Sequence, residues 1–298
     1  MYARELHTIL NLNRSVTGIA LLNDRLYFSH RGNPRLAVYC PVTFQFQQYL
    51  NCLCQSCGNQ TGILQCNCYP EPEEYTTELQ HIVACNINNC LYASVQDTHF
   101  GNRICKVAVG QNNTLSSWSV VGVPLGLSVT SSQNVLAALN NNYLTEYSPD
   151  GQLIREISLQ TAGITAPVHA VQLQNDQFGV THHGPKHQFS IVSSDGQLLR
   201  SYCGNAGDMN EPNGIAVDER GRIFVADQNN NRILVMDSKT LSAYPLPLPT
   251  GCQLNGPYSI HYDAASDCEL KAPYCIHFAS NRLYIGDCND NRIVCCQL

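Results

Sequence analysis

Charge is scarce in this chain. Asp, Glu, Lys and Arg make up 13% of its 298 residues, and 23 acids against 17 Lys and Arg leave a net charge of −6. A protein that grips nucleic acid neutralises several phosphates with clustered basic side chains, and this composition holds no such reservoir. No apolar run approaches the roughly 20 residues of a membrane-spanning helix. The opening stretch MYARELHTILNLNRS contains no apolar segment of the kind a secretory signal needs, which points to a cytoplasmic protein. Without export, the Asn13, Asn59 and Asn112 sequons carry no glycan. No Ser-His-Asp order, phosphate-binding loop or paired-carboxylate spacing stands out, so no hydrolytic or phosphoryl-transfer chemistry is indicated.

Cysteine, by contrast, is abundant, with 16 residues. An even, high count suggests disulfides in short secreted scaffolds. Cys105, Cys295 and Cys296 fall at strand positions, where free thiols serve as small buried hydrophobes.

What the chain does have is a period. First strands begin at Gly18, His81, Gly126, His169, Gly214 and Ser259, successively 63, 45, 43, 45 and 45 residues apart. Second strands align as RLYFSH, CLYASV, VLAALN, QFGVTH, RIFVAD and RLYIGD, and third strands stay in the same register. A repeat near 44 residues with four strands per unit is the signature of propeller blades. The sixth unit ends at its third strand, while ELHTILN (5–11) precedes the first unit with nothing else to pair with. The expectation is an all-β, six-bladed β-propeller of four-stranded antiparallel blades spanning 1–298, closed by the N-terminal strand.

The fifth unit carries the most specific pattern: Pro212, Gly214, Asp218, Asp227, Asn230, Arg232 and Ile233. It resembles the NHL repeat. Unit six keeps Asp287, Asn289, Arg292 and Ile293, whereas units one and two keep only Arg35 and Arg103, and units three and four depart further. The resemblance implies a recognition propeller of the kind found in RING-type ubiquitin ligases. No RING, B-box or coiled coil accompanies it here, so the implied role is a partner-binding module.

Three departures from the period need separate readings. The 63-residue step is explained by a Cys-rich insert at 51–68 between blades. Cys54, Cys57, Cys66 and Cys68 could form a structural zinc loop; exposed thiols or local disulfides are the alternative. In unit six, PYSIHYDAAS at 257 recurs as PYCIHFASNR at 273. This duplication (257–281) places one copy in the first strand and leaves the other looped out. Asp150-Gly151 and Asp195-Gly196 are expected in two-residue turns joining third and outer strands.

Loops from outer to next inner strand, and from second to third strand, share one face of a propeller. That face gathers Arg35, His99, Arg103, Asn141, His182, His183, His187, Asn229, Asn230, Arg232, Asn289, Asp290 and Arg292. Such an amide-rich, mixed-charge surface suits hydrogen-bonded protein recognition; solvated loops built on asparagine turns would read the same. Asp227 with Arg232 is expected to fix its loop. His81, His169 and Asn213 are expected to line the tunnel. Two imidazoles two blades apart could share a metal, as in propeller hydrolases, but no third ligand stands at the matching positions.

These readings converge on a non-catalytic, protein-binding propeller with no cofactor beyond zinc in the insert, no membrane contact and no evident small-molecule substrate. An RNA-binding propeller and a metal-dependent, lactonase-like enzyme are the alternatives.

Overall fold

β-Branched runs between polar turns pair into six antiparallel four-stranded sheets, which contain every strand among the described residues. The structure is a computed structural model describing residues 6–11, 15–31, 33–41, 44–51, 77–97, 101–110, 113–184, 186–202, 204–248, 253–263, 282–290 and 292–298. After β1 (Leu6–Asn11), blade 1 comprises β2 (Val16–Leu22), β3 (Arg25–His30), β4 (Asn33–Tyr39) and β5 (Phe46–Asn51). Blade 2 is β6 (Thr77–Cys85), β7 (Cys90–Asp97), β8 (Arg103–Ala108) and β9 (Thr114–Ser119). Blade 3 is β10 (Pro124–Val129), β11 (Val135–Leu139), β12 (Tyr143–Tyr147) and β13 (Leu153–Ser158). Blade 4 is β14 (Thr165–Gln172), β15 (Phe178–Gly184), β16 (Gln188–Val192) and β17 (Leu198–Ser201). Blade 5 is β18 (Pro212–Val217), β19 (Arg222–Asp227), β20 (Arg232–Asp237) and β21 (Ala243–Pro245). Blade 6 joins β22 (Pro257–Asp263), β23 (Arg282–Asp287) and β24 (Arg292–Gln297), with β1 antiparallel to β24 as its outer strand. β2 packs beside both β6 and β22, so blades 1 and 6 are neighbours and the array is a six-bladed propeller. Among the described residues no helix is long and apolar enough to cross a membrane.

The core is distributed between blades rather than gathered at one centre. Phe224, Ile233 and Val235 of blade 5 meet Ile260, Leu283, Ile285 and Val294 of blade 6, and comparable clusters fill other interfaces. Phe224 is wholly buried, a contribution of roughly 2–3 kcal/mol.

The innermost strands obey a second rule. All six carry a β-bulge near the same point, from Val16/Gly18 round to Pro257/Ser259. Just beyond it, blades 1, 3 and 5 have Gly18, Gly126 and Gly214, and blades 2, 4 and 6 have His81, His169 and Ser259. A Cβ on Gly126 would lie 2.5 Å from the Val168 carbonyl oxygen, and one on Gly214 2.7 Å from that of Tyr258. Backbone meets backbone there, and only glycine fits. On the other side of blades 2 and 4, a histidine side chain spans the gap instead. Tight and wide interfaces therefore alternate from blade 1 to blade 6.

The third-to-outer connections differ from the expected two-residue turns. Gly151 N–H donates to the Ser148 carbonyl and Ser148 N–H to that of Gln152, with Gly151 at φ +85°; Ser193 to Gln197 repeats this with Gly196 at +82°. The turn is a four-residue one closed by a left-handed glycine, and a register shift at Glu146/Tyr147 absorbs the extra residue.

In blade 6 the first copy of the duplicated segment forms β22, paired from Pro257↔Asp287 to Asp263↔Arg282. Apart from Asn51, the end of β5, and Arg282, the start of β23, the Cys-rich insert and the second copy lie outside the described residues, as do Cys54, Cys57, Cys66, Cys68 and His99. Deleting residues 264–279 would restore the nine-residue step to Arg282 that separates Val16 from Arg25 in blade 1. Loop length alone changes stability little, so the deletion variant should keep its strand spectrum and melt within about 3 °C of the parent in calorimetry. A collapse of the transition would show that these residues belong to the core.

Candidate protein-interaction face and channel

On the loop face the second-to-third connections of blades 1, 3, 5 and 6 bond back onto the segment entering the same blade. Gln228 and Asn229 N–H groups donate to the Glu211 and Asn210 carbonyls, and Cys288 and Asn289 to those of Gly256 and Asn255. The Asp and Arg of the repeat motif clamp this junction. Asp227, fully buried, accepts from Asn210 N–H (2.7 Å), Asn230 Nδ2 (2.9 Å) and Arg232 Nε (2.6 Å). The remaining guanidinium nitrogens of Arg232 donate to the Ala206, Gly207 and Asp208 carbonyls. Blade 6 repeats the clamp: Asp287 accepts from Asn255 N–H (2.7 Å) and Arg292 Nε (2.7 Å), and Arg292 also reaches the Gln253 carbonyl and Asp290. Burial raises the Asp287 carboxyl above the usual carboxylate range, against the pull of Arg292 and the Asn255 N–H. Blade 2 keeps a looser form, with Arg103 and Asp97 3.5 Å apart.

The asparagines of this face also work internally. Asn230 Nδ2 donates to the Asp208 carbonyl, Asn141 Nδ2 to that of Val121, and Asn229 and Asn289 to the side-chain oxygens of Asn210 and Asn255. Asp290 accepts from Asn255 Nδ2 at 2.8 Å. Arg35 is exposed on β4.

The three blade-4 histidines do not share one environment. His182 is 3% exposed, its ring between the Gly184 carbonyl and the Ser190 hydroxyl, because β15 is buried on both faces from Phe178 as far as this residue. His183 donates from Nε2 to the Pro212 carbonyl, and its ring lies 5.2 Å from that of His187. His187 Nδ1 accepts from Glu211 N–H at 3.0 Å.

Around the channel mouth the structure assembles groups that motif reading passes over. Glu211 adopts φ +53°, held by His187 at its N–H and by Asn213 Nδ2 and Gln228 N–H at its carbonyl. Its carboxylate makes no hydrogen bond or ion pair among the described residues. Gln80 Nε2 donates to Glu78 and Gln96, and the second Glu78 oxygen has no hydrogen-bond partner among the described residues. Burial raises the Tyr258 hydroxyl above its ordinary value; Cys288, Glu211 and Glu78 act in the same direction and Arg31 opposes them. Arg31, Glu78, Glu211 and Tyr258 thus share one electrostatic neighbourhood. A residue before proline normally adopts extended backbone, so no sequence signal points to the left-handed conformation of Glu211.

Deeper in the channel, His81 and His169 are 8% and 4% exposed, with ring centroids 4.6 Å apart. Both His169 nitrogens are engaged: Nδ1 accepts from Ile215 N–H (2.9 Å) and Nε2 faces the Leu127 carbonyl (3.0 Å). A nitrogen committed in this way is not available as a metal ligand, so these imidazoles do not fit a shared metal. Asn213, 1% exposed, bonds the Glu211 carbonyl and Gln228. Among the described residues no group of three His, Cys, Asp or Glu is placed to hold a metal ion.

The opposite face bears a depression lined by loops of blades 3 to 5, including Gln174, Asn175, Asp176, Asp218 and Lys239. Its carboxylates are tied down: Asp176 to Arg155 through two 2.8 Å bonds, and Asp218 to Arg222 and two backbone N–H groups. Neither is arranged as a general base.

The NHL repeat family pattern matches residues 209–236, which is most of the first three strands of blade 5. Over 119 residues the chain is 25% identical to Protein brain tumor of Drosophila melanogaster, covering 38% of this chain and 11% of that protein. Over 60 residues it is 35% identical to B-box type zinc finger protein ncl-1 of Caenorhabditis elegans, covering 20% of this chain and 7% of that one. The matches thus span about a tenth or less of these relatives. Among solved structures, virginiamycin B lyase from Staphylococcus aureus superposes with a TM-score of 0.61 at 12% identity over 99% of both chains. The PQQ-bound aldose sugar dehydrogenase from Streptomyces coelicolor gives 0.63 at 11% identity over 98% of both. At these identities the likeness is one of fold.

Proposed function

We propose that this NHL-repeat propeller is a non-catalytic module that binds another protein through its loop face, centred on the channel mouth. The observation that carries this reading is the division of labour on that face. The motif Asp, Arg and Asn side chains are spent inside the blades, while Arg31, Arg35, Glu78, Glu211 and Tyr258 remain for a partner. One cation, Arg31, and two anions, Glu78 and Glu211, act on the Tyr258 ring, and exposed Arg35 stands on the same loop face, matching the polar, mixed-charge character of a recognition surface. RNA would need a row of basic side chains, and the clamped Arg232 and Arg292 do not supply one. An assembly of the ubiquitin-ligase type, with this propeller selecting the substrate, follows from the NHL resemblance. A reducing compartment agrees with the thiols: burial pushes Cys105 up to about 12 and Cys295 up to about 11, as befits inert core residues.

The test compares three baits by quantitative affinity enrichment: the parent, the double variant Arg35→Glu/Glu211→Arg, and Lys239→Glu on the opposite face. Partners recognised at the mouth should fall at least about tenfold with the double variant, roughly the loss of one good charged contact, and stay with Lys239→Glu. Equal recovery on all three baits would reject the mouth as the site. A sub-micromolar, strongly salt-dependent RNA complex would favour the nucleic-acid reading instead.

A further inference from the structure

Two interfaces of the ring, between blades 2 and 3 and between blades 4 and 5, are bridged by imidazoles. His81 of blade 2 accepts on Nδ1 from Leu127 N–H of blade 3 at 3.3 Å. His169 of blade 4 accepts on Nδ1 from Ile215 N–H of blade 5 at 2.9 Å, the equivalent bond two blades on. His169 Nε2 also donates back to the Leu127 carbonyl. Leu127 is therefore held at its N–H by one histidine and at its oxygen by the other. Accepting at Nδ1 requires a neutral ring with its proton on Nε2. The two rings touch, and His261 of blade 6 completes a set drawn from alternate blades.

We propose that His81 and His169 form a proton-operated latch between blades 2 to 5. A proton arriving at either Nδ1 removes an inter-blade hydrogen bond. It also places positive charge against a neighbouring ring that tends to the same charge. The channel wall then loosens directly beneath Asn213 and the mouth residues, so acid weakens the interaction face as well as the ring.

The surroundings favour the neutral state at physiological pH. Burial is the leading cause in all three rings: it lowers His169 and His261 to about 4 and His81 well below 6.5, where His169 and His261 add repulsion. β7 and β15 contribute only the Ser94 and Thr181 hydroxyls, which donate to the His81 and His169 carbonyls. β10 and β18 contribute backbone groups. The titratable groups His169 and His261 act on His81 alone; on His169 the Leu127 carbonyl at Nε2 pulls the other way and favours the charged ring, without overcoming burial. Because the folded values lie below the unfolded value near 6.5, stability is complete above that pH and is lost as pH falls towards 4. Each site changes the folding equilibrium about tenfold per pH unit in that window.

Hydrogen exchange on the unmodified protein tests the latch without any variant. Between pH 7 and 5, after correction for the intrinsic rate, segments containing Leu127 and Ile215 should lose protection about a hundredfold. The segment containing Leu144 and Ile157, which lies outside the imidazole contacts, should lose markedly less, feeling only the fall in global stability. His81→Asn/His169→Asn is the companion, since Asn Oδ1 can accept in place of Nδ1 but does not titrate. Its melting temperature should fall less steeply with acid than the parent's, with His182 and His183 still titrating in both. Uniform loss of protection along the chain, or protection at Leu127 and Ile215 that ignores pH, overturns the proposal whether or not the variant folds.

Discussion

A protein lacking residues 1–11 should melt on the order of 10 °C below the parent or leave the monomer altogether, at about 2–4 °C per kcal/mol for a domain of this size. β1 pairs with β24 from Leu6↔Cys296 to Asn11↔Arg292. Without it, β24 becomes an edge whose N–H and C=O groups face solvent beside Ile293, Val294, Cys295 and Cys296, all buried in the intact ring. An unpaired edge beside apolar side chains is a template for pairing with a second molecule. Calorimetry and light scattering on the truncated chain decide the matter. An unchanged melting temperature with a monomeric mass would show that the ring does not depend on this strand.

The second large effect is expected at the clamp of blade 5. In Asp227→Ala, Arg232 loses its carboxylate and Asn210 N–H its acceptor, in a place closed to water. Breaking a buried, hydrogen-bonded ion pair from one side costs about 3–5 kcal/mol, so the variant should melt about 10 °C lower. Asp97→Ala in blade 2 supplies the internal scale: its 3.5 Å contact to Arg103 is longer and should cost less. Equal losses at both positions would mean that burial of the aspartate, rather than the bond to arginine, sets the cost.

The blade count, the strand registers and the clamp could be read from residue spacing, because a propeller repeats one local problem six times. Pro212, Gly214, Asp227 and Arg232 each solve part of that problem within 21 residues of sequence, so a short motif carries them. The candidate site was less legible, because it depends on contacts between blades. His261 sits two residues beyond the position of His81 and His169, so no alignment of strand starts groups the three. His182 resembles its neighbour His183 in sequence, yet it is the last residue of the run of β15 that is buried on both faces. Arg232 and Arg292 look available on a loop, and only the surrounding carbonyls show that they are occupied. Glu211 escapes motif reading because its importance lies in a backbone angle.

The alternation of glycine and larger residues along the innermost strands means that the blades are not interchangeable parts. Exchanging blade 3 with blade 5 keeps a glycine against the backbone of an even-numbered neighbour. Moving blade 4 into the place of blade 3 would drive an imidazole into a gap where Gly126 leaves no room for a methyl group. Gly18, Gly126 and Gly214 each set an odd blade against the backbone of the even blade that follows it, which couples the blades as 1 with 2, 3 with 4 and 5 with 6. Chimera building should therefore lose less stability in steps of two blades, which keep those close contacts, than in steps of one.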